Sequence, residues 1–126
     1  MVLEVLHNNN DLDSVNNKLK RGVWIVLYFS ESCGYCHQFM PIWDEFVHNN
    51  NTKVKCAKID SNVSNNIIAN PGVSGVPSVH FYRNGKITKE GIFEEERTVE
   101  NLNKFVNKNL VKKTKKRKTK KKSRKK

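Results

Sequence analysis

The chain has 126 residues, a hydrophobic content of 37% and a formal net charge of +12 at pH 7. This length suits one compact domain with a core of its own and hardly allows two. Three cysteines, an odd number, do not make the disulfide framework of a small secreted domain. No segment approaches the ~20 apolar residues that a membrane-spanning helix needs.

The net positive charge of the chain comes from its C-terminus. Of the 24 Lys and Arg residues, twelve fall within residues 112–126 (KKTKKRKTKKKSRKK), and the other twelve are balanced by the 12 Asp and Glu. Residues 112–126 contain no apolar side chain and repel one another, so we predict a disordered tail after a domain of residues 1–111. The tail is either a solvated solubility segment or a contact for nuclear import, nucleic acid or another polyanion. Such binding would be sequence-independent and salt-sensitive.

The N-terminal segment predicts where the protein works. MVLEVLHNNNDLD lacks the basic region and apolar run of a secretory signal. We therefore expect a cytoplasmic protein, with nuclear or nucleic-acid association open through the tail. In that reducing compartment a close pair of cysteines is more often catalytic or metal-binding than structural.

The first part of the chain alternates predicted strands and helices. Val2–Leu6 is a short apolar run that suits an edge strand, and Asn10-Asp11 offers a cap for a helix that ends before Gly22. Val23–Phe29 (VWIVLYF) is an unbroken run of apolar, β-branched and aromatic residues. It predicts a strand that is buried on both faces, as in a parallel sheet.

The segment ESCGYCHQFMP, residues 31–41, contains the motif C-x-x-C-H. This motif serves three chemistries: attachment of a c-type haem, half of a zinc site, or a redox-active dithiol. Ser30 or Ser32 could cap a helix that starts here and ends near Asn49, with Pro41 inside it and expected to bend it. Its apolar side chains recur at helical spacing: Phe39, Ile42, Trp43, Phe46 and Val47.

The second part of the chain predicts three strands and two helices. In order they are a strand Val54–Ile59, a short helix Val63–Ala69, a strand Ser78–Tyr82, a returning strand Ile87–Phe93 and a last helix capped by Thr98. Asn84-Gly85 between two of the strands is a strong hairpin signal, because both residues tolerate positive φ. The order βαβαβαββα predicts an α/β fold with a mixed central sheet and helices on both faces.

Haem and zinc both fit the chain poorly. Haem attachment follows export, and apart from Met1 the only methionine that could serve as a second axial ligand, Met40, is badly placed. Zinc needs four ligands. Cys33, Cys36 and either His37 or Cys56 would form an irregular set, without a second C-x-x-C.

Several spaced motifs together resemble the thioredoxin family, including the redox domains of protein disulfide isomerases. They are the apolar strand that leads into CGYC, Pro41 five residues after Cys36, Ile59-Asp60 at the end of a strand, Gly75-Val76-Pro77 before the next strand, and Asn84-Gly85 in the following turn. The likeness covers residues 2–110. It implies a thioredoxin fold and a redox-active disulfide between Cys33 and Cys36, with no other cofactor and no metal.

The resemblance and the residues give each side chain of the site a predicted role. Cys33, at a helix N-terminus where its pKa falls, attacks the substrate, and the more buried Cys36 resolves the mixed disulfide. The Val76–Pro77 bond resembles the cis-proline of the family, which exposes the main chain of Val76 to a substrate peptide. Gly34 and an exposed Tyr35 would complete the substrate contacts.

The chain departs from the family at the base of the site. Leu27 stands where the family has a buried acid that assists proton transfer, and Ser32 stands where it has tryptophan. Cys56 appears in place of a lysine that is often paired with the acid. Cys56 is either a small core residue or a third thiol able to modulate the site, and His37 is either an ordinary helix residue or a cation that favours the thiolate.

Two hypotheses follow. The first is a protein-disulfide oxidoreductase with protein disulfide substrates, a thiol reductase or oxidase as its redox partner, and a basic anchoring tail. The second is a non-catalytic thioredoxin-like module that binds nucleic acid or a protein partner. The intact dithiol and Pro77 favour the first, whereas Leu27 favours the second. The direction of electron flow does not follow from the residues.

Overall fold

The computed structural model describes residues 3–6, 12–60 and 75–118. Its elements are β1 Leu3–Leu6, α1 Leu12–Leu19, β2 Val23–Phe29, α2 Gly34–Asn49, β3 Lys55–Asp60, β4 Ser78–Arg83, β5 Lys86–Ile92 and α3 Val99–Lys118. The strand β2 has the predicted bounds, and the other strands lie within one residue of theirs. The helix predicted at Val63–Ala69 falls outside the described residues.

The five strands form one mixed sheet in the order β1-β3-β2-β4-β5. β3 runs parallel to β1 and to β2, whereas β4 is antiparallel to β2 and to β5. The central strand β2 is therefore hydrogen-bonded on both edges, and six of its seven residues are buried. This position explains the unbroken apolar run, because a strand covered on both faces has no solvent-facing positions.

Helices cover both faces of the sheet, as the sequence predicts. Alternate residues of β2 point to opposite faces, so Leu27 packs in one core and Tyr28 in the other. The first core includes Trp43 of α2 and Phe105 of α3. The second includes Val15 and Leu19 of α1. Among the described residues, no helix has the length and apolar character to cross a membrane.

The β4–β5 turn confirms the hairpin prediction. Asn84 has φ 53° and Gly85 has φ 87°, so both central residues adopt the positive φ that the turn requires. The turn is also fixed to the loop before β2. The Gly22 N–H donates to Asn84 Oδ1 at 3.0 Å, and the Asn84 N–H donates to the Gly22 carbonyl at 2.8 Å.

The helix α3 begins at the predicted cap and ends later than predicted. Thr98 Oγ1 accepts a hydrogen bond from the Asn101 N–H at 3.1 Å. The helix continues to Lys118, so residues 112–118 are helical and not disordered as we predicted. Lys and Arg are good helix formers, no Gly or Pro interrupts the segment, and each added residue extends an existing helix by one hydrogen bond. Residues 119–126 lie outside the described residues, and the division into a domain of 1–111 and a tail stays a prediction.

Candidate functional site

The dithiol lies where β2 ends and α2 begins. Cys33 is the N-cap of α2, with extended dihedral angles, and its sulfur accepts a hydrogen bond from the Cys36 N–H at 3.0 Å. The prediction that Ser30 or Ser32 caps this helix is therefore wrong. Ser30 instead shapes the turn before the helix, because its hydroxyl accepts from the Ser32 N–H and its carbonyl from the Cys33 N–H.

The two thiols have opposite pKa shifts. The pKa of Cys33 is lowered, first by a hydrogen bond from the Cys36 side chain and then by the backbone N–H groups of Cys36 and Tyr35, against an opposing effect of burial. The pKa of Cys36 is raised to about 11, first by burial and then by its hydrogen bond to Cys33. Cys33 is half-buried and Cys36 is buried. Near neutral pH the pair therefore offers one accessible, easily ionised sulfur and one protected thiol.

The Val76–Pro77 segment lies directly against the reactive sulfur. The Val76–Pro77 peptide bond is cis, as the resemblance implied. Cys33 Sγ lies 3.7 Å from the Val76 carbonyl oxygen, to which its S–H donates. Residues 43 positions apart in the chain thus meet at the site, and the main chain of Val76 is placed beside the sulfur that would attack.

A groove of about 530 Å³ runs beside this contact. Apolar side chains form its floor, among them Phe39, Pro77 and Phe93. Tyr35 lies at one side of the groove and is 68% exposed, as predicted. Gly34 is exposed, and no atom lies within 4 Å of the position that a Cβ would take. Of the predicted substrate contacts, Tyr35 and Pro77 therefore line the same groove.

The two predicted modulators occupy different surroundings. The ring of His37 is exposed, and its Nε2–H donates to the Glu31 carbonyl at 2.6 Å. His37 is not among the groups that shift the pKa of Cys33. Cys56 is fully buried in the same core as Cys36, and burial raises its pKa to about 12. Its complete burial fits the role of a small core residue better than that of a third reactive thiol.

At the base of the site, a leucine stands where the family has a buried acid. Leu27 is fully buried in the core that also contains Cys36. Burial, Cys33, the Ser30 backbone and Arg97 set the pKa of Cys36, and no carboxylate is among these groups. Among the described residues, no carboxylate therefore contributes to the pKa shift of Cys36.

The sequence analysis missed Arg97. Its guanidinium lines the groove together with Glu94, Glu95 and Glu96, and its positive charge lowers the pKa of both Cys33 and Cys36. In the sequence Arg97 is only the residue before a helix cap. No local pattern indicates that this loop folds back onto the dithiol.

No group of three or more His, Cys, Asp or Glu side chains within residues 3–6, 12–60 and 75–118 is arranged to hold a metal ion.

Comparison with known proteins gives consistent matches. The family model for thioredoxin matches residues 3–108. Protein disulfide-isomerase TMX3 of Xenopus laevis is 30% identical over 93 residues, which cover 65% of this chain and 20% of that protein. Protein disulfide-isomerase 1 of Caenorhabditis elegans is 31% identical over 85 residues, covering 66% of this chain and 17% of that protein. The chain thus spans about a fifth of the length of these relatives.

Solved structures support the fold. The J-Trx1 fragment of ERdj5 superposes with a TM-score of 0.68 at 21% identity, covering 86% of this chain and 52% of that one.

Proposed function

The chain belongs to the thioredoxin family, and on that premise we propose that it is a thiol-disulfide oxidoreductase acting on protein disulfides through Cys33 and Cys36. The observation that carries the proposal is the unequal pair of sulfurs. Cys33 is half-buried at a helix N-terminus and has a lowered pKa, whereas Cys36 is buried with a pKa of about 11.

The reaction has two exchange steps. The Cys33 thiolate attacks one sulfur of the substrate disulfide, forms a mixed disulfide and releases the other substrate sulfur as a thiolate. Cys36 then loses its proton and attacks the Cys33 sulfur, which releases the second substrate thiolate and leaves a Cys33–Cys36 disulfide. The substrate gains two electrons and the dithiol loses two, so the dithiol is the only redox group that the exchange needs.

The surroundings of Cys33 suit a peptide substrate. A peptide that pairs with the main chain of Val76 would bring its disulfide beside Cys33, because the Val76 carbonyl is 3.7 Å from that sulfur. Tyr35 and Gly34 would contact the same peptide from the other side. The exchange is reversible, so a thiol reductase or a thiol oxidase partner sets its direction.

Reduction of insulin disulfides in the presence of dithiothreitol tests the activity. Wild-type protein should accelerate insulin reduction, Cys33→Ser should not, and Cys36→Ser should accumulate a mixed disulfide that mass spectrometry detects. Cys56→Ser is the matched control, since it removes a thiol outside the proposed pair and should leave the rate within about twofold of wild type. If wild type and Cys33→Ser reduce insulin equally fast, the protein is a binding module and not an enzyme.

We also propose that the basic segment of residues 112–126 anchors the enzyme to a polyanion in the cytoplasm or nucleus. Its twelve positive charges support this, because phosphate contacts of Lys and Arg give strong, salt-dependent attachment. Deleting residues 112–126 should weaken retention on immobilised DNA at low salt and leave insulin reduction unchanged. Undiminished retention after the deletion would refute the anchoring role.

A further inference from the structure

The central strand separates two ends of the sheet. β2 spans seven residues, or about 20 Å. At one end Tyr28 pairs with Ser78, next to the dithiol and Pro77. At the other end Val23 pairs with Arg83, and Trp24 pairs with Lys55. We call this second region, residues 17–24, 50–56 and 82–87, the distal end.

The two ends carry opposite charge. The distal end contains seven basic residues and no acidic one, namely Lys18, Lys20, Arg21, Lys53, Lys55, Arg83 and Lys86. The segments around the dithiol, residues 29–33, 58–60, 75–78 and 92–98, contain five acidic residues and two basic ones. Residues 1–111 carry balanced charge in the sequence, but the fold separates the charges into a dipole.

The distal end contains a cleft of about 720 Å³ lined by Lys20, Arg21 and Lys55 around the edge of Trp24. The Trp24 Nε1–H donates to the carbonyls of Lys18 and Arg21, each at 3.0 Å, which holds the backbone of this loop in place. Lys55 Nζ lies 5.6 Å from the centre of the Trp24 ring. Lys20, Arg21 and Lys55 are all exposed, so three cationic side chains around this cleft are accessible to solvent.

The helix α3 runs toward this same end. It begins after Arg97, which lines the groove beside the dithiol. Twelve residues later the Asn109 carbonyl accepts a hydrogen bond from Arg83 Nη2 at 3.1 Å, which places this part of the helix against the distal end. Nine further residues reach Lys118, adding about 13 Å of helix.

We propose that the distal end of the folded domain is itself a binding surface for double-stranded nucleic acid, in which Lys20, Arg21 and Lys55 contact phosphates. The phosphate backbone is a dense line of negative charge that Lys and Arg bind without reading the sequence. Among the described residues the exposed large hydrophobic side chains are Tyr35 and Ile92, and neither belongs to the distal end. The surface therefore offers charge without the apolar side chains that insert into a membrane interface.

Binding by this surface would orient the enzyme. The dithiol lies about 20 Å away at the opposite, acidic end of the sheet, about two Debye lengths at physiological ionic strength. A duplex held at the distal end therefore leaves Cys33 facing away from it and open to substrate. This inference concerns the folded domain and does not depend on the redox activity.

The test compares two full-length variants that have the same net charge. Lys20→Gln/Arg21→Gln/Lys55→Gln removes three cations from the distal end. The control Lys89→Gln/Lys104→Gln/Lys108→Gln removes three exposed cations along β5 and α3. Binding to a short random-sequence DNA duplex is measured by fluorescence anisotropy between about 50 and 200 mM salt.

Each phosphate contact contributes about 0.9 to the slope of log K against log salt, so losing three lowers the slope by two to three units. At about 0.1 M salt this corresponds to an affinity loss on the order of 100-fold for the distal variant, and a much smaller loss for the control. Equal losses in the two variants would refute the inference, because they would show that affinity follows the net charge of the domain and not the distal end. Unchanged circular dichroism and insulin reduction show that the distal variant is folded.

Three further measurements separate the remaining outcomes. Alkylation of Cys33 by iodoacetamide should proceed at the same rate with and without saturating duplex, and protection by the duplex would refute the proposed orientation.

Vesicles of phosphatidylcholine with phosphatidylserine serve as the competing probe. If the distal variant loses vesicle binding but not duplex binding, the surface recognises lipid headgroups and the nucleic-acid assignment is wrong. Binding by Cys33→Ser should equal wild type, which keeps this test independent of the enzyme activity.

Discussion

Resolution of the mixed disulfide is the step at which the surroundings of Cys36 should control the rate. Only a thiolate attacks a disulfide, so the rate follows the ionised fraction of Cys36. The pKa of this thiol is about 11, and burial is the largest cause. Burial persists when Cys33 is occupied by substrate, and Leu27 offers no carboxylate to take the proton. We therefore expect the change from neutral to alkaline pH to accelerate this step steeply.

The expected size follows from the two pKa values. At pH 7 a thiol with the ordinary pKa of 9.0 is about 1% ionised, whereas one with a pKa of about 11 is about 0.01% ionised. A thiolate of higher pKa is also the stronger nucleophile. With a Brønsted coefficient of 0.4–0.5, this raises the rate constant of the thiolate by a factor of about 6 to 10 and partly offsets its smaller ionised fraction. Resolution at pH 7 should therefore be up to about tenfold slower than with an unperturbed thiol, because the part of the shift that comes from the Cys33 thiol is lost in the mixed disulfide. Its rate should rise about tenfold for each unit of pH up to about pH 9.

A single-turnover assay with a peptide disulfide measures this step. Reduced protein is mixed with a small excess of peptide and quenched in acid at successive times, and mass spectrometry quantifies the mixed disulfide. Cys36→Ser provides the control, because its mixed disulfide forms and then persists. A resolution rate that is flat between about pH 7 and 9 would refute the reasoning, since it would require a base inside the site that already holds the proton.

Three further predictions test other parts of the structure. Arg97→Gln should raise the pKa of Cys33, because the guanidinium charge favours the thiolate. Thiolate absorbance measured against pH tests this, and an unchanged titration curve of Cys33 would contradict the role of Arg97. Asn109→Ala should lower the free energy of unfolding by about 1–3 kcal/mol in urea denaturation, because the buried amide of Asn109 forms hydrogen bonds with Thr88, Glu90 and Phe105. Asn103→Ala, at an exposed position, is the control. Equal losses of stability in the two variants would contradict this role of Asn109. Gly91→Ala should cost about 1–3 kcal/mol, since a Cβ would lie 2.6 Å from the Phe81 carbonyl oxygen, and an unchanged denaturation midpoint would show that the strand moves aside.

The central part of the fold could be predicted because its physical cause is local. The apolar run Val23–Phe29 indicates a fully buried strand, and the tolerance of Asn84 and Gly85 for positive φ fixes the hairpin. The cap of α2 could not be predicted in the same way. Serine is the better capping residue by propensity. Here, however, the Ser30 hydroxyl accepts the Ser32 N–H within the turn, and the Cys33 sulfur accepts the Cys36 N–H at the start of the helix.

Features that depend on contacts between residues far apart in the chain could not be predicted from the sequence. Arg97 acts on the dithiol through its charge because the loop after β5 lies along the same groove as α2, and no spacing rule predicts that approach. The separation of charge is a second case. Counting Lys, Arg, Asp and Glu along residues 1–111 gives balance, and only the strand register shows that the cations gather at one end of the sheet. The end of α3 is a third, because a run of Lys and Arg repels itself alone but can continue a helix already formed.

Under the proposed function, the Val76 carbonyl affects how one disulfide substrate would be distinguished from another. A main-chain oxygen beside Cys33 offers the same acceptor to every extended peptide, whatever side chains that peptide carries. Recognition through such a group is permissive, so sequence readout contributes little to the choice of client. Selectivity then depends on which disulfides are exposed and nearby, and a protein held in one place encounters its neighbours at a high effective concentration. For a site built around a backbone carbonyl, the location of the protein would then determine its substrates more than its affinity for a particular peptide sequence.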